Sequence, residues 1–338
     1  MRKCRNIVVL LSSLFVLKNS AQDIHFSQFN MSPLNLNPAF TGFFDGDYRG
    51  AANYRSQWRT VPVTYNTVSL QADARNSFKN NKANKWGIGM LFNNDVAGDS
   101  KYGTTQLYIP LSYIYKLKTD SAFFISAGVQ PGISNIGFRT NKLTYDSQWD
   151  GDAYNPALAS GENYSLLKRT YFDVNAGALV QYPINQKSVI TFALNVAHLT
   201  APRISYFQND AIKLDRKINS YISLSYLLTK KINLQGEYLF QKQGKFKENV
   251  VGVKLFYTLN EKDKQDINAG IYIRTKDALV ARIGYDVKQW QFGMSYDINT
   301  SKFNIATNRR GAIEFAVIYI FTKERIFIPK KRSCPVYM

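Results

Sequence analysis

The sequence predicts an all-β protein: a transmembrane antiparallel β-barrel of about 14 strands, with an irregular N-terminal arm and a short C-terminal periplasmic tail. Three observations carry that prediction. The chain opens with an export leader. It then repeats strand-length stretches in which every second residue is apolar or aromatic. Aromatic residues make up 14% of its 338 residues, led by 22 Tyr and 22 Phe, against only two Cys. Tyr and Trp girdles at the two membrane surfaces account for such a composition.

Residues 1–21 read as a signal peptide. A basic start (Arg2, Lys3, Arg5) precedes an apolar run from Ile7 to Leu17 and a small-residue end, Asn19-Ser20-Ala21. Cleavage is expected before Gln22. The run is too short to span a membrane as a helix, and no later stretch approaches 18 uninterrupted apolar residues. An exported chain of this kind spans a membrane only with strands. Cys4 precedes the apolar run, which removes it as a lipoprotein acylation site.

Residues 22–48 form the arm, expected to be periplasmic or lumenal. His25-Phe26-Ser27-Gln28-Phe29, Pro33, Asn37-Pro38-Ala39-Phe40 and Gly42 break the alternation and favour turns. Aromatics this dense in irregular chain need burial, so the arm is expected to pack partly inside a barrel lumen.

The barrel is assigned to residues 49–321. The stretch Trp290-Gln-Phe-Gly-Met-Ser-Tyr-Asp297 shows the pattern in its simplest form. Trp290, Phe292, Met294 and Tyr296 share one face, and polar or tiny residues share the other. Earlier strands are expected at Arg49 to Arg59 and Pro62 to Arg75, where Val68, Leu70, Ala72 and Ala74 alternate with Ser69, Gln71 and Asp73. The third, Lys85 to Asn93, aligns Trp86, Ile88, Met90 and Phe92. The fourth, Gly103 to Leu117, aligns Leu107, Ile109, Leu111, Tyr113 and Tyr115. The fifth, Ala122 to Phe138, is expected to break at Pro131-Gly132.

The sixth strand is Thr170 to Tyr182, the seventh Ser188 to His198, the eighth Lys217 to Leu228, the ninth Ile232 to Gln241 and the tenth Asn249 to Thr258. Asp266 to Arg274 and Ala278 to Asp286 follow across the tight Thr275-Lys276-Asp277. Gly311 to Phe321 closes the set, with Ile313, Phe315, Val317, Tyr319 and Phe321 outward. With a periplasmic N-terminus, the longest connections, after strands five, seven and thirteen, all fall outside the cell. Short periplasmic turns and long outer loops are the rule for bacterial barrels.

Residues 322–338 form a basic tail with Cys334, the only cysteine after the leader. A lone thiol in an oxidising compartment is a candidate for an intermolecular disulfide. The formal net charge is +19, of which four charges lie in the leader, leaving about +15. Export and the absence of clustered basic helices exclude nucleic acid as a partner. Outer-membrane lipid tolerates the excess.

No catalytic or metal site emerges. His25 and His198 are the only histidines, which leaves no pair at zinc-ligand spacing. Asp146, Asp150 and Asp152 lack the remainder of a calcium loop. His198, at the end of its strand, reads as an interfacial girdle residue, and Asn195-Val196-Ala197-His198 gives no support to a serine-histidine-acid arrangement. The chain is therefore expected to be no enzyme and to need no cofactor. Inward-facing candidates carry both signs: Asp73, Asp173, Glu237, Lys254, Arg274, Arg282, Asp286, Asp297 and Glu314. A selective pore often concentrates one sign. Mixed signs suit an interior filled by side-chain pairs and the arm, hence a plugged or poorly conducting barrel.

Gln22-Asp23-x-His25-Phe26-Ser27-Gln28-Phe29, followed by Pro33 and by Asn37-Pro38-Ala39-Phe40-x-Gly42, resembles the PorP/SprF family. Arg55-Ser56-Gln57-Trp58 is similar to that family's Arg-x-Gln-Trp, and Cys334-Pro335 near the C-terminus fits its layout. The resemblance implies an outer-membrane component of type IX secretion and gliding in Bacteroidota. It would bind the C-terminal domain of a secreted cargo protein and hold that cargo at the cell surface, in contact with periplasmic ring and motor components. The outer loops, about Asn141 to Lys168 and Ala201 to Arg216, would then meet cargo, while the arm and tail would face periplasmic partners. Phe26, Gln28, Phe29, Asn37, Pro38, Arg55, Trp58 and Cys334 become the partner-binding candidates. A porin or hydrophobic-solute channel is the alternative reading of the same barrel.

Overall fold

In the computed structural model, the described residues are 23–59, 63–77, 84–117, 123–140, 143–162, 166–206, 212–301 and 307–323. The leader and residues 324–338 of the tail, including Cys334, lie outside them. Fourteen antiparallel staves close on themselves. They are β1 (Tyr48–Gln57), β2 (Tyr65–Ser77), β3 (Lys85–Ala97), β4 (Tyr102–Tyr108 with Leu111–Lys116), β5 (Phe124–Gly137), β6 (Lys168–Asn185) and β7 (Ser188–Ala197). β8 (Lys217–Leu227), β9 (Ile232–Gln243), β10 (Phe246–Asn260), β11 (Gln265–Arg274), β12 (Ala278–Val287), β13 (Trp290–Asn299) and β14 (Arg310–Phe321) complete the wall. Each stave pairs with its sequence neighbours. The ring closes where β1 meets β14, in register from Tyr48 opposite Phe321 to Gln57 opposite Ala312.

The interruption expected in β5 falls in β4 instead. Both segments of β4 pair with β3 on one side and β5 on the other, so together they fill one position in the ring. A strand residue points its N and O toward the same neighbour. Pro131 accepts from the Ile109 amide at 2.9 Å but has no proton to return. The ladder opens at Ile109-Pro110, while β5 continues intact to Gly137.

Side chains alternate as the sequence implies. Ile283 (62% exposed), Ile271 (59%), Phe172, Ile133, Met90 and Leu70 point outward. A water-soluble protein would bury them; a continuous outer belt of this kind faces lipid. All nine inward-facing charged candidates do point inward, and every one except half-buried Asp286 is buried. The long connections after β5, β7 and β13 leave and re-enter the wall at one end of the barrel, and two- to four-residue turns such as Gln186-Lys187 and 261–264 sit at the other.

Three short turns fold the arm inside this wall: Phe29–Met31, Pro33–Leu36 and Pro38–Phe40. Leu34, Leu36, Ala39 and Phe29 are almost wholly buried. Phe29 and Leu36 pack with Tyr221, Leu239, Val250 and Tyr272 of the wall, so the hydrophobic core of the molecule is the lumen itself. Inward glycines give the arm room. A Cβ on Gly177 would lie 2.1 Å from Asn37 Oδ1, and one on Gly128 2.5 Å from the Pro38 backbone.

Candidate functional site

The arm is fastened by polar clusters along its length. The most enclosed lies toward the long-loop end. The Ser27 and Gln28 amides donate to the two oxygens of Glu314 at 2.8 and 2.9 Å. Ser27 Oγ donates to the Asp297 carboxylate at 2.8 Å and accepts from Arg55 and Arg274 at 2.5 and 2.7 Å. Arg55 also reaches Asp297 at 2.9 Å and Glu314 at 3.2 Å, and Arg274 reaches Asp297 at 3.2 Å. Both arginines are 2% exposed, and Glu314 is 0% exposed. Two cations and two anions therefore balance around one arm hydroxyl. Burying charge is costly unless every member is paired in this way.

Local backbone geometry places these groups. Gly311 and Ala312 of β14 together oppose Asp297, because the register slips between Tyr296 and Ile298. The bulge puts its extra residue on β14, while Asp297 keeps the ordinary alternation with Ser295 and Asn299 and so faces inward, toward the two guanidinium groups. Farther down, Glu237 accepts from Tyr221, Tyr272 and Asn30 at 2.8, 2.6 and 2.8 Å. Phe29 lies edge-on to both tyrosine rings, each at 5.9 Å. Asn37 caps the last turn by accepting from the Ala39 amide at 2.8 Å. Its Nδ2 donates to the carbonyls of Ala178 and Leu194 at 3.1 and 2.9 Å. Near the short-turn end, Arg49 pairs with Asp73 at 2.8 Å and donates to the Phe40 carbonyl at 2.9 Å.

The amino end of the arm is anchored at the long-loop end. The Asp23 amide donates to Gln243 at 3.1 Å, and its carboxylate meets His198 at 3.4 Å and Lys217 at 3.5 Å. His198 Nδ1 lies 2.6 Å from Asp173, which also accepts from Tyr108 at 2.9 Å and Thr200 at 3.0 Å. Burial works against charge on both partners, but the pairing outweighs it. Lys217 and His198 hold Asp23 well below the usual carboxylate range, and Asp173 and Asp23 lift His198 to about 9. His25 follows burial and is pushed down to about 4.

Two expectations are thereby corrected. His198 is no girdle residue: it is 1% exposed and faces inward. Strand parity would align it with Val196, but its left-handed backbone (φ 58°) swings the ring into the lumen. The arm does not face the short-turn side along its length. It begins beside the long loops and threads the lumen to reach β1.

Of the residues predicted to meet partners, Phe26, Gln28, Phe29, Asn37, Pro38 and Arg55 are all buried between arm and wall. They hold the arm in place instead of presenting a surface. Trp58 stands apart at the rim, edge-on to Tyr65 with centroids 5.3 Å apart. It borders a cavity of about 530 Å³ that sits above the charged cluster, also bounded by Ile24, His25, Tyr102 and Phe246. The sequence did not single out Ser27, although it lies between two motif residues. Its signal was the one small hydroxyl in an aromatic run.

The family described as "Type IX secretion system membrane protein PorP/SprF" matches residues 18–319. No curated protein matches the sequence. Among solved structures, the Pseudomonas putida toluene transporter TodX is similar over 85% of this chain and 93% of its own, at 9% identity and a TM-score of 0.51. A Pseudomonas aeruginosa FadL homologue is similar over 84% and 93%, at 13% identity and a TM-score of 0.50. At those identities the likeness is one of fold.

Proposed function

The chain belongs to the PorP/SprF family of type IX secretion system membrane proteins, and from that premise we propose that it receives a secreted cargo protein at its long-loop end and holds it at the cell surface. In this reading the long-loop end is extracellular, the short turns are periplasmic, and the cargo is recognised through its C-terminal domain. The 530 Å³ cup rimmed by Trp58, Tyr65, Tyr102 and Phe246 is the receiving surface. Ring and motor components would meet the short-turn side, and no catalysis is assigned.

The observation that carries the reading is the filled lumen. The arm is fixed by two buried arginines, two buried carboxylates and an aromatic core. A wall closed around such a plug, with an open cup above it, favours binding over conduction. The rival reading, a solute channel, draws on the transporters that share the fold.

Site-directed crosslinking tests the proposal. In a Cys334→Ser background, a probe at Tyr102→Cys, inside the cup, is compared with one at Leu70→Cys on the lipid belt. Recovery of a large surface protein with a type IX C-terminal domain from the Tyr102 position alone supports the reading. Recovery of only lipid and barrel, from cells actively secreting cargo, sinks it. Single-channel conductance by the intact barrel would favour the channel instead.

A further inference from the structure

We propose that the outward face of the β9–β10 hairpin binds the phosphate groups of outer-leaflet membrane lipid. Lys242 of β9 stands directly opposite Lys247 of β10, and Lys245 lies in the turn between them. All three are exposed. Opposed residues in an antiparallel pair hold their Cβ atoms about 5 Å apart, and like charges so placed repel. Yet none of the three forms an ion pair among the described residues. Of the carboxylates nearby, Glu248 and Asp277 are committed to Arg274, at 3.7 and 3.0 Å. Asp215 is exposed beside Gly244, its Oδ2 2.2 Å from where a Cβ on that glycine would sit. Three ammonium groups are thus gathered on one small patch, and among the described residues none of them is held in an ion pair.

Their height on the wall identifies the counter-ion. One step toward the membrane centre, Phe240 stands opposite Asn249, and Tyr238 donates to that Asn249 side chain at 2.8 Å. Below them the outward positions become apolar: Val251, Val253 and Leu255 on β10, and Ile222 and Leu224 on β8. An aromatic girdle topped by lysines marks the boundary where acyl chains give way to headgroups. The hairpin is also short. Its ladder ends at Gln243 opposite Phe246, one rung beyond the lysine pair. The ammonium groups therefore stay at headgroup height and cannot rise into the space above the long loops where a cargo protein would sit. Strands positioned this way attract anionic headgroups through charge, over a range limited by salt screening.

Native mass spectrometry of the full-length protein, in an uncharged detergent, tests this. The probes are a diphosphorylated outer-leaflet glycolipid and its dephosphorylated form. The wild type is expected to prefer the phosphorylated lipid. The double variant Lys242→Gln/Lys247→Gln is expected to weaken that binding by about thirtyfold, at about fivefold per lysine. Lys262→Gln/Lys264→Gln, at the opposite end, should leave it unchanged. Equal binding of the two lipids, or no loss in the Lys242/Lys247 variant, overturns the proposal. So does release of an acidic protein partner from cells carrying that variant while lipid binding persists. Crosslinking through Tyr102→Cys reads the cargo site separately, so either idea can fail without the other.

Discussion

Replacing Arg55 with methionine probes what holds the arm. The side chain is 2% exposed and contacts Asp297, Glu314 and Ser27. Methionine keeps most of the volume and removes the charge. Asp297 retains Arg274 as a partner, but Glu314 loses its only close cation among the described residues and keeps only the Ser27 and Gln28 amides. Removing one member of a buried ion pair costs about 3–5 kcal/mol. Because Glu314 grips the arm backbone, the cost is expected to appear as arm release, raising the released population by about a hundred- to a few-thousandfold. Hydrogen exchange at the Ser27 and Gln28 amides reads this directly in the purified barrel. A second substitution, Glu314→Gln, removes the orphaned anion, so Arg55→Met/Glu314→Gln should be less perturbed than the sum of the single changes. Unchanged exchange at both amides in Arg55→Met, or strict additivity in the double variant, would refute the view that paired charges fasten the plug.

Other perturbations separate the remaining anchors. Gly177→Ala places a methyl 2.1 Å from Asn37 Oδ1; it should loosen the Asn37 turn by about 1–3 kcal/mol, seen as faster proteolysis of the arm with the barrel still heat-modifiable on gels. Asn37→Ala removes a cap and two donors to β6 and β7 carbonyls, with a similar cost of about 1–3 kcal/mol. The Asp23–His198 anchor predicts a pH window. His198 is raised to about 9, so its stabilisation is fully present below its ordinary value and is lost as pH rises through about 9. Asp23 is depressed, so its contribution holds above the ordinary carboxylate range and is lost on acidification below it. Protease cleavage near Asp23 should therefore accelerate above about pH 9, and His198→Gln should abolish that alkaline step. An alkaline step of the same size in His198→Gln would remove the histidine from the account.

The wall was legible in the sequence because a strand reports its two faces at every other residue. Leu70 and Asp73, or Phe172 and Asp173, differ by odd spacing and land on opposite faces. A closed barrel gives each face a constant environment. The interior charges were legible for the same reason. Parity fails where the backbone leaves the extended region, and His198, at φ 58°, is such a place. It also fails to locate interruptions. Pro131 was visible, but its missing donor faces β4, so the break belongs to the neighbouring strand. The arm carries no period at all. Its residues could be judged too apolar for solvent, but their partners, Glu314 and Asp297, lie more than 260 residues away, and no local rule connects them.

The direction of the arm bears on how the barrel is used. Asp23 is tied at the long-loop end, whereas Tyr48 starts β1 at the short-turn end. Between them the chain passes Glu314, Glu237 and Asp73 in turn, each accepting a hydrogen bond from it: Ser27 to Glu314, Asn30 to Glu237 and Gly42 to Asp73. The acceptors come from β14 and β2, which flank β1, and from β9 across the ring. Displacing the arm by a sliding motion would break all three sets together and strand buried carboxylates, each costly when unpaired. A ligand binding in the cup meets Asp23, Ile24 and His25 of the arm and none of these three acceptors. It can therefore read the arm's amino end without opening a path through the lumen, which is the behaviour expected of a receptor surface built on a plugged barrel.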